Sequence, residues 1–143
     1  MRLPEVLDSL YGCRTVLREL RGSVGDRRLV VIAAYWGWRD LAAGWSKNRL
    51  PGACPWRSSE TDEDPDAGCN YFWATSGLSD AEVDSLLFAA ADDQSRFVIG
   101  APGLEWLYCL YDGGADVLLP GAVECDALKA RHSEWLSSHP DGL

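Results

Sequence analysis

Any chemistry in this chain would have to come from five cysteines, two histidines and a crowd of carboxylates, and their spacing argues against most of what those groups do. Cys13, Cys54, Cys69, Cys109 and Cys125 contain no CxxC pair. Cys54, Cys69, His132 and His139 are the right ligand types for zinc but lack the close paired spacing by which structural zinc sites gather their ligands. A thiol enzyme needs a base beside its cysteine, and the two histidines stand far along the chain from Cys54 and Cys69, in an exposed C-terminal helix and tail. Cys109 lies within an apolar strand and is expected to be buried. An odd number of cysteines without framework spacing fits reduced thiols in a cytoplasmic protein better than a disulfide scaffold. Carboxylate pairs of the glycosidase kind are too many for one to be singled out, because general-acid work needs a carboxyl in a desolvated pocket. No catalytic residue, metal ligand or cofactor is therefore assigned.

Two clusters suit binding better than catalysis. Glu60, Asp62, Glu63, Asp64 and Asp66 form an acidic run that can act as a phosphate mimic for a basic cleft, and charge pairs at such interfaces couple by about 1.5 to 7 kcal/mol. Trp56 or Trp73 would be the aromatic anchor beside it, a residue type enriched at binding hot spots. The plainer alternative is a solvated loop. The second cluster, Asp112-Gly113-Gly114 with Asp116, reads as a structural turn, where Asp accepts backbone N–H bonds and glycine tolerates positive φ. Trp36, Trp38, Trp45 and Trp56 interleave with Arg39, Lys47, Arg49 and Arg57, a pattern that stacks bases and holds phosphates in single-strand binders. Core tryptophans rimmed by arginines are the simpler reading.

Charge decides against nucleic acid. Residues 1–59 carry ten Lys/Arg against five Asp/Glu (+5), and residues 60–143 carry three against seventeen (−14), which sums to −9. Such an acidic surface repels nucleic acid and anionic membrane and steers a basic protein partner. No apolar run approaches the roughly 20 residues of a membrane-spanning helix, and the first residues are too short and acidic for a signal peptide. The expected location is the cytoplasm, with the oligomeric state unassigned.

The elements that must position these groups follow from periodicity. Pro4 to Gly22 reads as a helix with apolar residues three and four apart, weakened by Gly12. Leu29–Tyr35 is a continuous apolar run, as expected of a central strand covered on both faces. Residues 46–68, broken by Pro51, Gly52, Pro55 and the acidic run, are expected to be an irregular or mobile interaction loop. Asn70–Thr75 reads as a strand. Ser79 with Glu82 makes a capping box for a helix over Asp80–Asp92. Three short strands follow (Arg96–Ile99, Glu105–Tyr111, Ala115–Leu119), then a closing helix over Asp126–Ser137. The expected fold is α+β, a single domain over 1–143 with one antiparallel or mixed sheet of about five strands and helices mainly on one face.

The segment from Arg96 to Asp141 resembles a bacterial family of small uncharacterised domains. The likeness rests on an apolar strand ending in Tyr111 and Asp112, a hairpin with Gly114, then Asp116 and Val117, and a closing helix bearing Trp135. The upstream strand Leu29–Tyr35 followed by Trp36 also corresponds. The family's hairpin carries an additional residue and an Arg that this chain lacks. Some members look like immunity proteins of toxin systems. The resemblance thus implies a small binding protein, an immunity or antitoxin-like inhibitor of a basic effector such as a nuclease. A small enzyme or ligand-binding domain using the Trp-rich region as a pocket, and a housekeeping protein-interaction domain, are the alternatives.

Overall fold

A computed structural model describes residues 3–22, 28–37, 44, 49–59, 69–91, 97–111 and 114–136. In chain order these hold α1 (Leu3–Gly22), β1 (Val30–Gly37), β2 (Cys54–Ser58), β3 (Cys69–Ser76), α2 (Asp80–Ala91), β4 (Phe97–Gly100), β5 (Leu107–Tyr111), β6 (Gly114–Leu118) and α3 (Ala122–Arg131), then a 3₁₀ turn (Ser133–Trp135). The strands make one antiparallel sheet in the order β2-β3-β1-β4-β5-β6. This is the expected α+β class, with six strands where about five were anticipated.

Alternation along the strands divides the sheet into two unlike faces. Val31 and Ala33 of β1 are fully buried and stand in register with Ile99 and Phe97 of β4, which in turn oppose Tyr108 and Leu110 of β5. This face packs against Cys13, Leu17 and Leu20 of α1 and Val83, Leu87, Ala90 and Ala91 of α2, forming the core. Each helix contributes residues three or four apart, the spacing that keeps one stripe turned to the sheet. The other parity presents a row from Ala74 through Ile32, Val98 and Cys109 to Asp116. None of these side chains belongs to the core cluster. The expectation that β1 is covered on both faces is therefore corrected. Its even-numbered residues are only half-buried or exposed, ending in Trp36 at 64% exposure.

The sixth strand, β2, lies inside the segment anticipated as irregular. All five of its residues are exposed, so it bears no burial pattern, and it owes its conformation to pairing with β3. Just before it, Leu50 is sunk in the core at 2% exposure and anchors the segment. At the β3–α2 junction Gly77 takes φ of 78°, open to glycine at no steric cost. Immediately after it, Ser79 and Glu82 close the expected capping box. The Ser79 backbone N–H donates to the Glu82 carboxylate at 2.8 Å, and the Glu82 N–H donates to the Ser79 hydroxyl at 3.3 Å. The closing helix starts earlier than expected, at Ala122, and breaks at His132 into the 3₁₀ turn.

Candidate functional site

The edge strand β2 gathers the described part of the expected binding cluster. Pro55 lacks an N–H, and the register with β3 shifts between Pro55 and Arg57, so the strand bulges at Trp56. The bulge turns the indole outward, half exposed, with the Arg57 guanidinium 5.0 Å from its ring centre. One residue past β2, the Ser59 N–H donates to the Asn70 carbonyl and the Asn70 N–H donates to the Ser59 hydroxyl, both at 2.9 Å. These bonds pin together the two ends of the β2–β3 connection. Glu60, Asp62, Glu63, Asp64 and Asp66 belong to that connection and lie outside the described residues. Asn70 is in turn the cross-strand partner of Trp36, so that exposed indole stands at the end of the sheet from which the acidic connection leaves, while Trp56 lies at the bulge opposite the middle of β3.

As a contact, Trp36 enters sequence reasoning only through the base-stacking pattern, which does not place it near the acidic run. Its signal was parity. It shares the even-numbered face of β1, opposite Val31 and Ala33, and that face could be recognised only once the buried parity was known. Trp73, the alternative anchor, is 6% exposed and packs inward opposite Ala33. The reading of Trp36, Trp38, Trp45 and Trp56 as core side chains thus fails for Trp36 and Trp56, while Trp38 and Trp45 lie outside the described residues.

At the opposite end of the sheet order, the β5–β6 hairpin assembles Tyr111, Cys109 and Asp116. The Tyr111 hydroxyl donates to Asp116 Oδ1 at 3.4 Å, and Cys109 is the cross-strand partner of Asp116. Asp116 thus braces a side chain across the hairpin. Asp112 and Gly113 lie outside the described residues, while Gly114 opens β6 opposite Tyr111. Burial and then the Asp116 charge push the Cys109 thiol up, and the same two causes raise Tyr111. Cys109 is accordingly held as a protonated thiol, poorly suited to nucleophilic work. It is half-buried on the face away from the helices, not in the core. Deeper in, burial and then Cys13 raise the Tyr108 phenol.

His132 is corrected from an exposed helix residue to a packed one. Its side chain is 15% exposed, its Nε2 donates to Glu19 Oε2 at 2.8 Å, and its ring stacks on Trp135 with centroids 4.6 Å apart and planes 7° from parallel. Arg131 also pairs with Glu19. Burial lifts the Glu19 carboxyl, but the bonds from His132 and Arg131 outweigh it and hold the group below the usual carboxylate range. His139 lies outside the described residues. Among those described, no group of three His, Cys, Asp or Glu side chains could hold a metal ion.

A groove of about 620 Å³ runs between α1 and α2, floored by Leu17, Leu29, Val83 and Leu87. Arg14 and Arg21 cross it to Asp84 and Asp80. No tryptophan lines it, so it is not the Trp-rich pocket imagined for a ligand-binding domain. No helix among the described residues is long and apolar enough to cross a membrane.

Compared with known proteins, residues 5–140 match the family model of a domain of unknown function (DUF3885). No curated protein and no solved structure shows significant similarity to the chain.

Proposed function

Since the chain belongs to the DUF3885 family, whose description carries no activity, we propose from geometry and charge that it is an acidic protein-binding domain that docks a basic partner. The observation that supports this reading best is the β2 end of the sheet. There, Trp36 and Trp56 stand half or more exposed, Trp36 beside the pinned neck of a connection carrying five carboxylates within seven residues and Trp56 three residues before that neck. Exposed tryptophans supply apolar contact, and the carboxylates supply steering and desolvated charge pairs. An interface of standard size, about 1,600 Å², would extend from these indoles over the acidic connection. The finer form of the proposal is a cytoplasmic bacterial immunity or antitoxin-like inhibitor whose acidic connection plugs the cationic site of an effector such as a nuclease. A housekeeping interaction domain shares the surface and differs only in its partner.

The test begins with affinity capture from the source organism at low and high salt, using the parent chain, Trp56→Ala, and a variant in which Glu60, Asp62, Glu63, Asp64 and Asp66 are replaced by their amides. Capture of a basic protein that salt releases, and that both variants lose, supports the reading. Retained affinity with unchanged salt dependence in the amide variant sinks it. The inhibitor form adds a requirement that the captured protein be toxic alone and harmless when co-expressed with this chain.

A further inference from the structure

The two edges of the sheet are guarded differently. Edge strands display unpaired N–H and C=O groups that invite another strand, and proteins blunt them with proline, bulges or charge. β2 has a proline, a register shift and Arg57 within five residues. β6 has neither proline nor register shift, and its one charge is the acid Asp116. Gly114–Leu118 pairs with β5 in unbroken register over all five residues, and among the described residues nothing bonds its outer side. Its single polar side chain is Asp116, exposed on the face away from the helices, with Leu118 at 52% exposure two residues on.

Asp116 decides what can pair there. For a second copy of the chain to extend the sheet with its faces matched, residues of like parity must oppose each other. The two-fold register that uses the whole of β6 sets Asp116 directly against Asp116 of the other copy. Like charges so opposed are destabilising, whereas opposite charges at the same position stabilise by roughly 0.2–1 kcal/mol. A strand with Lys or Arg at that position gains the attraction and places its neighbour two residues away against Leu118.

We propose that the outer edge of β6 is a strand-addition site that takes an extended basic segment of a partner protein, with a Lys or Arg opposite Asp116, and refuses a second copy of this chain. The site lies at the far edge of the sheet from Trp56 and does not depend on the acidic connection. Affinity comes from main-chain bonds along Gly114–Leu118, and selectivity from Asp116 and Leu118, the division of labour found in β-strand addition generally.

A blocked peptide Thr-Val-Thr-Lys-Thr-Tyr-Thr sets Val against Leu118, Lys against Asp116 and Tyr against Gly114 in the antiparallel register. Titrated into the isotope-labelled full chain at low salt, it is expected to shift the amide resonances of Gly114–Leu118. It should bind roughly threefold or more tightly than the same peptide with Glu for Lys, a preference that salt erodes. Asp116→Lys should reverse the order of the two peptides, and Asp116→Asn, which keeps an acceptor for Tyr111, should level them while the remaining spectrum shows the fold intact. Absence of binding, equal binding of both peptides to the parent chain, shifts confined to other elements, or a parent chain that dimerises through β6 in sedimentation each overturns the proposal. None of these outcomes bears on the Trp56 reading, whose variants leave β6 untouched.

Discussion

Single residues show where local chemistry is enough and where it is not. Ser79 and Glu82 are a local case. Their reciprocal bonds depend on four consecutive residues, so the cap was legible without a fold. Ser79→Ala is expected to cost about 1 kcal/mol, seen as a lower denaturant midpoint at unchanged slope. Gly12 is a non-local case. In mid-helix it costs α1 about 0.5–1 kcal/mol relative to alanine, and sequence alone marks it as a weakness. The structure shows Trp135 lying over it, with a Cβ built there 3.7 Å from the indole, an ordinary contact. Gly12→Ala should therefore raise stability by up to about 1 kcal/mol in the same unfolding measurement. A loss would mean that Trp135 needs the bare backbone.

At the scale of elements, the closing segment is held by charge as well as by packing. α3 and the turn after it reach α1 through Glu19, Arg131, His132 and Trp135. Because the folded Glu19 pKa lies below its unfolded value, its contribution is complete above the ordinary carboxylate range and is lost as pH falls through the depressed value. Amide protection factors in Ala122–Trp135, taken against the slower intrinsic exchange of acid solution, should hence fall on acidification below the ordinary carboxylate range, while α2 follows global stability. Glu19→Gln should remove that acid dependence and leave α3 more weakly protected at neutral pH. A parent chain whose α3 exchange ignores Glu19 would show that packing alone docks the segment. β2 was illegible for the opposite reason to the capping box. A short, wholly exposed strand carries neither alternation nor burial, and its existence is dictated by a partner, β3, that follows the acidic run.

For the molecule as a whole, the charge asymmetry between the two halves of the chain is partly cancelled in space. Arg14 and Arg21 of the basic half face Asp84 and Asp80 of the acidic half across the α1–α2 groove, and Glu19 meets Arg131 and His132. Folding uses these charges against one another, so the steering proposed for a basic partner would fall to acids outside these pairs, such as those of the β2–β3 connection. The pairs themselves add little stability, since Arg14 and Asp84 are each about half exposed. Arg14→Ala is expected to cost no more than about 1 kcal/mol, and less in high salt. Leu50→Ala, at 2% exposure, should cost about 2–5 kcal/mol by opening a cavity where the segment before β2 enters the core. Equal costs in a paired denaturation experiment would overturn this ranking.

The sequence by itself determined the helices, five of the six strands to within a few residues, the β5–β6 hairpin and the α+β class, because periodicity, caps and turn residues act over a handful of neighbours. The even-numbered face of β1, the exposure of Trp36, the packing of His132 and the partners of the α1 arginines were decided by tertiary structure alone. Each depends on residues brought together from distant positions, and only strand order and helix docking choose which neighbours those are. The same holds for the sheet edges. Whether Asp116 braces a turn or guards an open strand follows from β6 being last in the sheet, which no spacing along the chain records.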